Sequence, residues 1–404
     1  MRMEEGNDLS HSLLHVHFRD PSTLRLPGLP HDRRSWWNDF KQLCWRIFLC
    51  TMAVLLIFVI PVLRLIFVKS SDPSQELVFQ PLVILLRFLI SSISFICLCH
   101  IVWKHGTKGI LFLTEETQEM EEKHKSIMKT CRIQLIKLFL PLLCAYVAHK
   151  LWLYLTVSLK PLPFGFKNKA LDTIIIAVAL CLSWCFGTGT YLYACTLFGE
   201  ACVLQETKMK LYSDLLRRGL DIGYYFNAYK TVLKCLKATS RRFRFFLAMT
   251  GGISVCGFLA SLYEIVDDVR TGTGILLSGD LMIVNIVNIT GWIFCLRSAS
   301  RIAHLHRRIL KSASSMNANA TLEAMRNLQP LLINEAAEKD IQNGIRLFSQ
   351  FQVDWAGRSA LVDFLSNNTA GISIYGFVLD RFFVHTSIGA LATTTWFVLG
   401  RSLT

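Results

Sequence analysis

The chain has 404 residues, of which 52% are hydrophobic and only 18% are charged, and its mean hydropathy is +0.40. Soluble domains carry about 25% charged residues, so this composition excludes an ordinary soluble protein. The net charge of +14 does not indicate nucleic-acid binding, because the Lys and Arg lie between hydrophobic blocks and not on a soluble basic module.

Seven hydrophobic blocks follow one another along the chain, each long enough for a helix to cross the ~30 Å hydrocarbon core of a bilayer. They cover about residues 44–67, 79–103, 134–157, 172–198, 245–266, 273–296 and 382–400. No signal peptide precedes the first block, which is expected to act as an uncleaved signal-anchor. Pro61 and Pro141 are expected to kink their helices. The pattern predicts an all-α protein with seven transmembrane helices.

The stretches between the blocks alternate between long and short. The long ones, at 104–132, 199–244 and 297–380, are charged and helix-prone, and we expect some of their helices to continue spans out of the bilayer. The predicted organisation is a cytosolic segment (1–43), spans one to six (44–296), a cytosolic helical region (297–380) and the last span (381–404).

Positive charge sets the predicted orientation. The N-terminal segment and the long stretches hold 31 of the 43 Lys and Arg, whereas the opposite side holds 6. The positive-inside rule then places the N-terminus in the cytosol and the C-terminus outside. This is opposite to a G-protein-coupled receptor, which also has seven spans and is the less favoured reading.

Enzymatic and metal chemistry find no support in the motifs. The sequence has no HExxH, P-loop or GxSxG motif. The 13 cysteines all lie in hydrophobic blocks or in loops predicted to be internal, so no structural disulfide is expected. We predict a protein that is not an enzyme and that holds no cofactor and no metal.

Polar and aromatic residues inside the spans are the candidate ligand site, since polar groups in a bilayer usually face the bundle interior or a water-filled cavity. The candidates are Trp152, Tyr154, Trp184, Tyr263, Glu264, Asp280 and Asn285. They would form a pocket opening outward. The alternative is an aromatic belt at the interface together with structural hydrogen bonds between helices.

The last span is rich in hydroxyl and small residues. Such a helix lines water or packs closely inside a bundle, and both alternatives stay open here. The candidate pore-lining residues are Thr394, Thr395, Val398, Arg401 and Ser402. Upstream, Asp380 and Arg381 indicate a structural ion pair at the cytosolic interface.

At these residues the chain resembles the insect gustatory receptors, relatives of the insect odorant receptors. Their last span carries Thr-Tyr, five hydrophobic residues, then Gln-Phe. The corresponding run here is Thr395-Trp396, then 397–401, then Ser402-Leu403, and 375–380 resembles the family's preceding segment. The run departs from the family pattern at Trp396, Ser402 and Leu403, and Arg401 stands where the family has an apolar residue.

The resemblance implies a plasma-membrane chemoreceptor, a homo- or hetero-tetrameric ligand-gated cation channel. Its partners would be a small-molecule tastant, membrane lipid and related receptor subunits. The ligand pocket would lie in the outer half of the bundle, the last helices would line a central pore, and the cytosolic helices would form a shared anchor. The alternative is a non-conducting receptor-like protein of the same fold, such as a scaffold or a lipid or ligand binder.

Overall fold

The structure is a computed structural model, and it covers most of the predicted helices. The described residues are 51–62 without 53, 80–110, 126, 133, 136–137, 139–149, 169–217, 222–271, 279–333 and 355–403. Within these ranges the chain is helical apart from one two-stranded hairpin and its connections.

Helices coincide with the predicted spans wherever those spans are described. The helices are α1 Gln80–Ile110, α2 Phe139–His149, α3 Lys169–Arg217, α4 Ile222–Thr271, α5 Gly279–Ile333, α6 355–367 and α7 Arg381–Leu403. Strands β1 Ser373–Ile374 and β2 Phe377–Val378 lie between α6 and α7. A further helical segment covers 51–62.

The segment at 51–62 contains a π-helical turn, Leu55–Val59, just before Pro61. Pro61 has no N–H to donate to the carbonyl four residues earlier, and a widened turn is one way a helix adjusts its hydrogen bonding next to such a gap. The Ile60 N–H accordingly donates to Leu55 O, five residues back. The structure thus shows a π-turn next to Pro61, and the kink expected there stays a prediction.

Four helices of the described chain are long and apolar enough to cross a membrane. Their apolar segments are Leu82–Ile101, Val178–Leu216, Ile222–Val266 and Leu281–Arg326. They carry the second, fourth, fifth and sixth predicted spans, so the prediction of a helical multi-pass membrane protein is confirmed. The count of seven and the orientation stay predictions.

Three helices exceed the length of a single membrane crossing. Helices α3, α4 and α5 have 49, 50 and 55 residues. At 1.5 Å per residue they are roughly 73–83 Å long, more than twice the hydrocarbon core. The expectation that some spans continue as long helices out of the bilayer is met by these lengths.

The chain divides into two compact units. The first comprises 1–200, 245–295 and 389–404, and the second comprises 201–244 and 296–388. In the first unit, α1 and α5 pack through Val83, Leu86, Leu281 and Val284. The close approach of α4 and α5 needs glycine, because a Cβ on Gly251 would lie 2.6 Å from the Trp292 Nε1 atom.

The second unit is organised around Tyr229, whose side chain is 0% exposed. Its hydroxyl lies 2.6 Å from His306 Nδ1. The Tyr212 ring centroid is 5.2 Å from that of Tyr229, and the Phe364 ring meets Tyr229 edge-on at 6.1 Å. This aromatic cluster joins α3, α4, α5 and α6 through their segments within the second unit.

The hairpin was not predicted, since its strands are only two residues long. Ser373 pairs with Val378 and Ile374 with Phe377. The two turn residues, Tyr375 and Gly376, have φ angles of 47° and 95°. Tight two-residue hairpin turns need positive φ at both positions, and tyrosine seldom supplies it. The Tyr375 ring lies 5.5 Å below the guanidinium of Arg244, a cation–π contact that favours this conformation.

Asp380 pairs with Arg307 on α5, and not with its neighbour Arg381 as the sequence predicted. One carboxylate oxygen accepts a bond from Arg307 at 2.6 Å, and the other accepts from the Phe383 N–H at 2.9 Å. Asp380 is thus the N-cap of α7. The Phe383 N–H and then Arg307 hold the pKa of this carboxyl below its usual range.

Because this pKa is lowered on folding, the stabilisation from Asp380 is complete above the unfolded value of about 3.9 and is lost as pH falls through the lower folded value. We expect Asp380→Asn to retain much of the cap and to remove this pH dependence. Thermal unfolding measured between about pH 3 and pH 6 should show the unsubstituted protein falling more steeply below pH 4 than the variant. Parallel curves would contradict this role.

Candidate ligand site in the helical bundle

Arg87 is a buried charge inside an apolar helix. It lies within the membrane-length segment of α1, and its side chain is only 8% exposed. Its guanidinium donates to the Tyr146 hydroxyl and to Ser183 Oγ, each at 3.4 Å. Among the described residues, no carboxylate forms an ion pair with it. A guanidinium in a bilayer core is costly, so this placement indicates a functional role.

A stacked aromatic wall holds the Tyr146 partner of Arg87. The Trp184 side chain is 0% exposed, and its ring stacks on Tyr146 at 4.2 Å with an interplanar angle of 8°. The Phe139 ring also stacks on Trp184, with ring centroids 6.0 Å apart. Ser183, next to Trp184 on α3, donates to the Leu56 carbonyl at 2.7 Å. Contacts among α2, α3 and the helical segment at 51–62 therefore hold the Tyr146 and Ser183 hydroxyls that accept hydrogen bonds from Arg87.

A small cavity is lined in part by Arg87, with about 10 Å³ available to the centre of a water molecule, room for roughly one water. Three helices of the first unit line it. The lining residues are Arg87, Ile90 and Ser91 of α1, Gly187, Thr188 and Tyr191 of α3, and Val284, Val287 and Asn288 of α5. A Cβ on Gly187 would lie 2.6 Å from Ser91 Oγ, so this glycine allows the close approach of α1 and α3 beside the cavity.

The polar lining of the cavity is rich in donors. The Tyr191 hydroxyl donates to the Asn288 carbonyl at 2.7 Å. The Asn288 side-chain amide, 5% exposed, has a buried Nδ2 with no hydrogen-bond partner in the described part of the chain. The lining holds no acidic residue. A bound molecule would therefore meet a cation and several donors within apolar walls.

Helix α7 presents a second distinctive surface, because most of its side chains are exposed. Its exposed side carries small residues at helical spacing, Thr386, Gly389, Thr393 and Gly400, and Trp396, which is 83% exposed, lies in the same row. The hydroxyls of Thr393, Thr394 and Thr395 bond to carbonyls four residues earlier at 2.8–2.9 Å. Their hydrogen bonding is thus satisfied within the helix, leaving this side available for a partner or water.

Residues 35–389 match the sequence profile of a family described as protein of unknown function, DUF3537. The chain belongs to the DUF3537 family. Comparison with curated proteins found no sequence match.

Among solved structures, this DUF3537 protein is similar to the insect olfactory receptor OR5 from Machilis hrabei in complex with eugenol. The TM-score is 0.56 at 13% identity, and the similarity covers 98% of this chain and 100% of the receptor. At that identity the likeness shows the fold. The predicted resemblance to insect chemoreceptors is therefore confirmed at the level of fold, and a gustatory identity stays a prediction.

The predicted ligand residues of the DUF3537 protein have different surroundings. Trp184 stands in the wall beside Arg87, whereas Tyr263 is 63% exposed and does not line the cavity. Glu264 is buried. Asn285 donates to the Gly257 carbonyl at 2.7 Å and to the Ser261 hydroxyl, so it ties α5 to α4. That contact is a structural hydrogen bond between helices.

Other predicted residues lie outside the described residues. Trp152 and Tyr154 are among them, and so are the side chains of Asp280, Arg401 and Ser402. The remaining pore candidates, Thr394, Thr395 and Val398, are half-buried on the side of α7 away from the exposed stripe.

Sequence reasoning missed Arg87, although a signal was present. It is the only Lys, Arg, Asp or Glu between residues 79 and 103. A lone arginine in such a block marks a functional position by default. Its hydroxyl partners on other helices carry no comparable signal in the sequence.

Proposed function

We propose that this protein is a chemoreceptor of the plasma membrane, a ligand-gated cation channel subunit without enzymatic activity or cofactor. Ligand binding in the bundle would favour an open arrangement of the α7 helices, through a difference in affinity between the two states. Gustatory ligands are the proposed class of stimulus, and a homo- or hetero-tetramer in contact with membrane lipid is the proposed assembly.

The exposed stripe of α7 is the observation that carries this proposal. Hydroxyl groups and glycines gain little from contact with lipid tails. A helix surface made of them suits close packing against another helix or the wall of a water-filled path. Small residues at Thr386, Gly389 and Thr393 would leave room for water in a central pore, and Trp396, in the same row, would narrow it. The half-burial of Thr394 favours Thr393 as the pore-facing threonine.

Cysteine substitution distinguishes these positions. Thr393→Cys and its neighbour Thr394→Cys are expressed in cells, and ligand-evoked currents are recorded before and after a charged, water-soluble thiol reagent. We expect the reagent to block current through Thr393→Cys and to leave Thr394→Cys largely unaffected, because only the first side chain is exposed. The unsubstituted protein, with its 13 native cysteines, is the control.

Absence of current across a broad panel, with surface expression and tetramer formation confirmed, would count against the channel. It would favour the alternative of a non-conducting receptor or scaffold of the same fold. Arg401 is the feature that favours this alternative. Four such charges near the outer end of a pore would raise the local positive potential and disfavour cations.

A further inference from the structure

We propose that the cavity beside Arg87 binds the carboxylate of a small organic acid with an apolar body, and that Arg87 is its counter-ion. The assignment rests on the proposed function only in treating this acid as the ligand that the receptor senses. Binding itself follows from the cavity and holds whether or not the protein conducts.

The first argument is charge. The Arg87 side chain is nine-tenths buried within a membrane-length helix, and the described chain supplies it with no carboxylate partner. A guanidinium has five N–H donors, and here two long bonds to neutral hydroxyls are its contacts. Buried charges are normally paired, so an anionic ligand would supply the missing partner.

The second argument is the set of donors around the cavity. Asn288 Nδ2 is buried and without a partner in the described chain, although a buried unpaired donor is destabilising. The Ser91 and Thr188 hydroxyls line the same space and can also donate. Donor-bearing residues of three helices therefore line one cavity, and the lining has no carboxylate to repel an anion. This matches the needs of carboxylate oxygens, which only accept hydrogen bonds.

The third argument is size and shape. The present space holds about one water, which fits a compact acceptor group and not a whole ligand. Ile90, Val284 and Val287 are the aliphatic residues of the lining, and such side chains suit a hydrocarbon body. Binding of a whole ligand would then require these aliphatic side chains to move apart.

The test uses the purified full-length protein in lipid nanodiscs and a panel of small carboxylates, each with its uncharged amide. Benzoate with benzamide and phenylacetate with phenylacetamide are suitable pairs, measured at neutral pH by calorimetry. We expect at least one acid to bind at least about tenfold more tightly than its amide. Arg87→Gln should remove that preference, Arg87→Lys should keep part of it, and Arg301→Gln, on an exposed residue of α5, should have no effect.

A second variant, Asn288→Asp, tests the same proposal if Arg87→Gln does not fold. It places a carboxylate in the same cavity, so it should pair with Arg87, raise the thermal midpoint and abolish acid binding. Acid binding that survives in this variant would overturn the proposal. Equal affinities for acids and amides would also overturn it. So would a comparison of chloride and methanesulfonate buffers in which the only anion found to bind is chloride.

A failure of carboxylate binding can be distinguished from a failure of the proposed channel function. Acid binding without any current would keep this inference and reject the channel. Currents evoked equally by neutral ligands, with no preference for acids, would keep the channel and reject carboxylate binding at Arg87.

Discussion

Trp184→Ala is expected to lower the free energy of unfolding by about 3–5 kcal/mol, the range found when a large buried aromatic is truncated. Trp184 is fully buried and stacks closely on Tyr146 and more loosely on Phe139. Its removal leaves a cavity and deletes the stacking contact, which by itself is worth about 0.5–1.5 kcal/mol. The Tyr146 hydroxyl would then lose its fixed position beside Arg87.

Thermal or denaturant unfolding in detergent, followed by far-UV circular dichroism, measures this loss. Trp184→Phe is the graded variant, because it keeps an aromatic face and removes an indole N–H that has no partner among the described residues. It should be much closer to the unsubstituted protein. Trp355→Ala, on a partly exposed tryptophan of α6, is the matched control with a small expected effect. Equal losses at Trp184 and Trp355 would refute the packing argument.

Tyr229→Phe is expected to destabilise the second unit by about 1–3 kcal/mol, the cost of leaving a buried polar group unpaired. The Tyr229 hydroxyl is the hydrogen-bond partner of His306 Nδ1. The other ring nitrogen of His306 is buried and has no partner within the described ranges. Loss of one hydroxyl therefore leaves the whole imidazole unsatisfied, although the ring of residue 229 still fills its site.

A double substitution identifies the source of this loss. If the hydrogen bond is responsible, His306→Leu should make the Tyr229→Phe change nearly neutral, because no buried nitrogen remains to be satisfied. Tyr193→Phe, on an exposed tyrosine of α3, is the control and should lie within about 0.5 kcal/mol of the unsubstituted protein. Additive losses in the double variant would exclude coupling between Tyr229 and His306.

Much of the helical architecture was predictable from hydropathy. A backbone in lipid must satisfy its own hydrogen bonds, so a long apolar block becomes a helix whatever surrounds it. The charged stretches after the fourth span and before the fifth were also read correctly, and they form the extended ends of α3 and α4. The hairpin escaped prediction because strands of two residues have no periodicity, and its turn uses Tyr375 where glycine or asparagine is usual.

The candidate site was predicted only in part. Trp184 was chosen for its aromatic character in a span and does stand beside the cavity, whereas Asn285 was chosen for its polarity and joins two helices instead. Helical periodicity shows which residues share a face of one helix, but it does not show which other helix meets that face. The ion pair at Asp380 illustrates the same limit, because its partner Arg307 is 73 residues away.

The amino-acid sequence by itself determined that this chain is a helical membrane protein, since the free energy of placing apolar blocks and charges in a bilayer depends on local composition. It also contained the resemblance to insect chemoreceptors that the fold bears out. Only the tertiary structure decided that Arg87 lines a cavity and that, within the described ranges, it has no carboxylate partner. The environment of a buried charge depends on neighbours from α2, α3 and α5, and their arrangement follows from packing of the whole bundle.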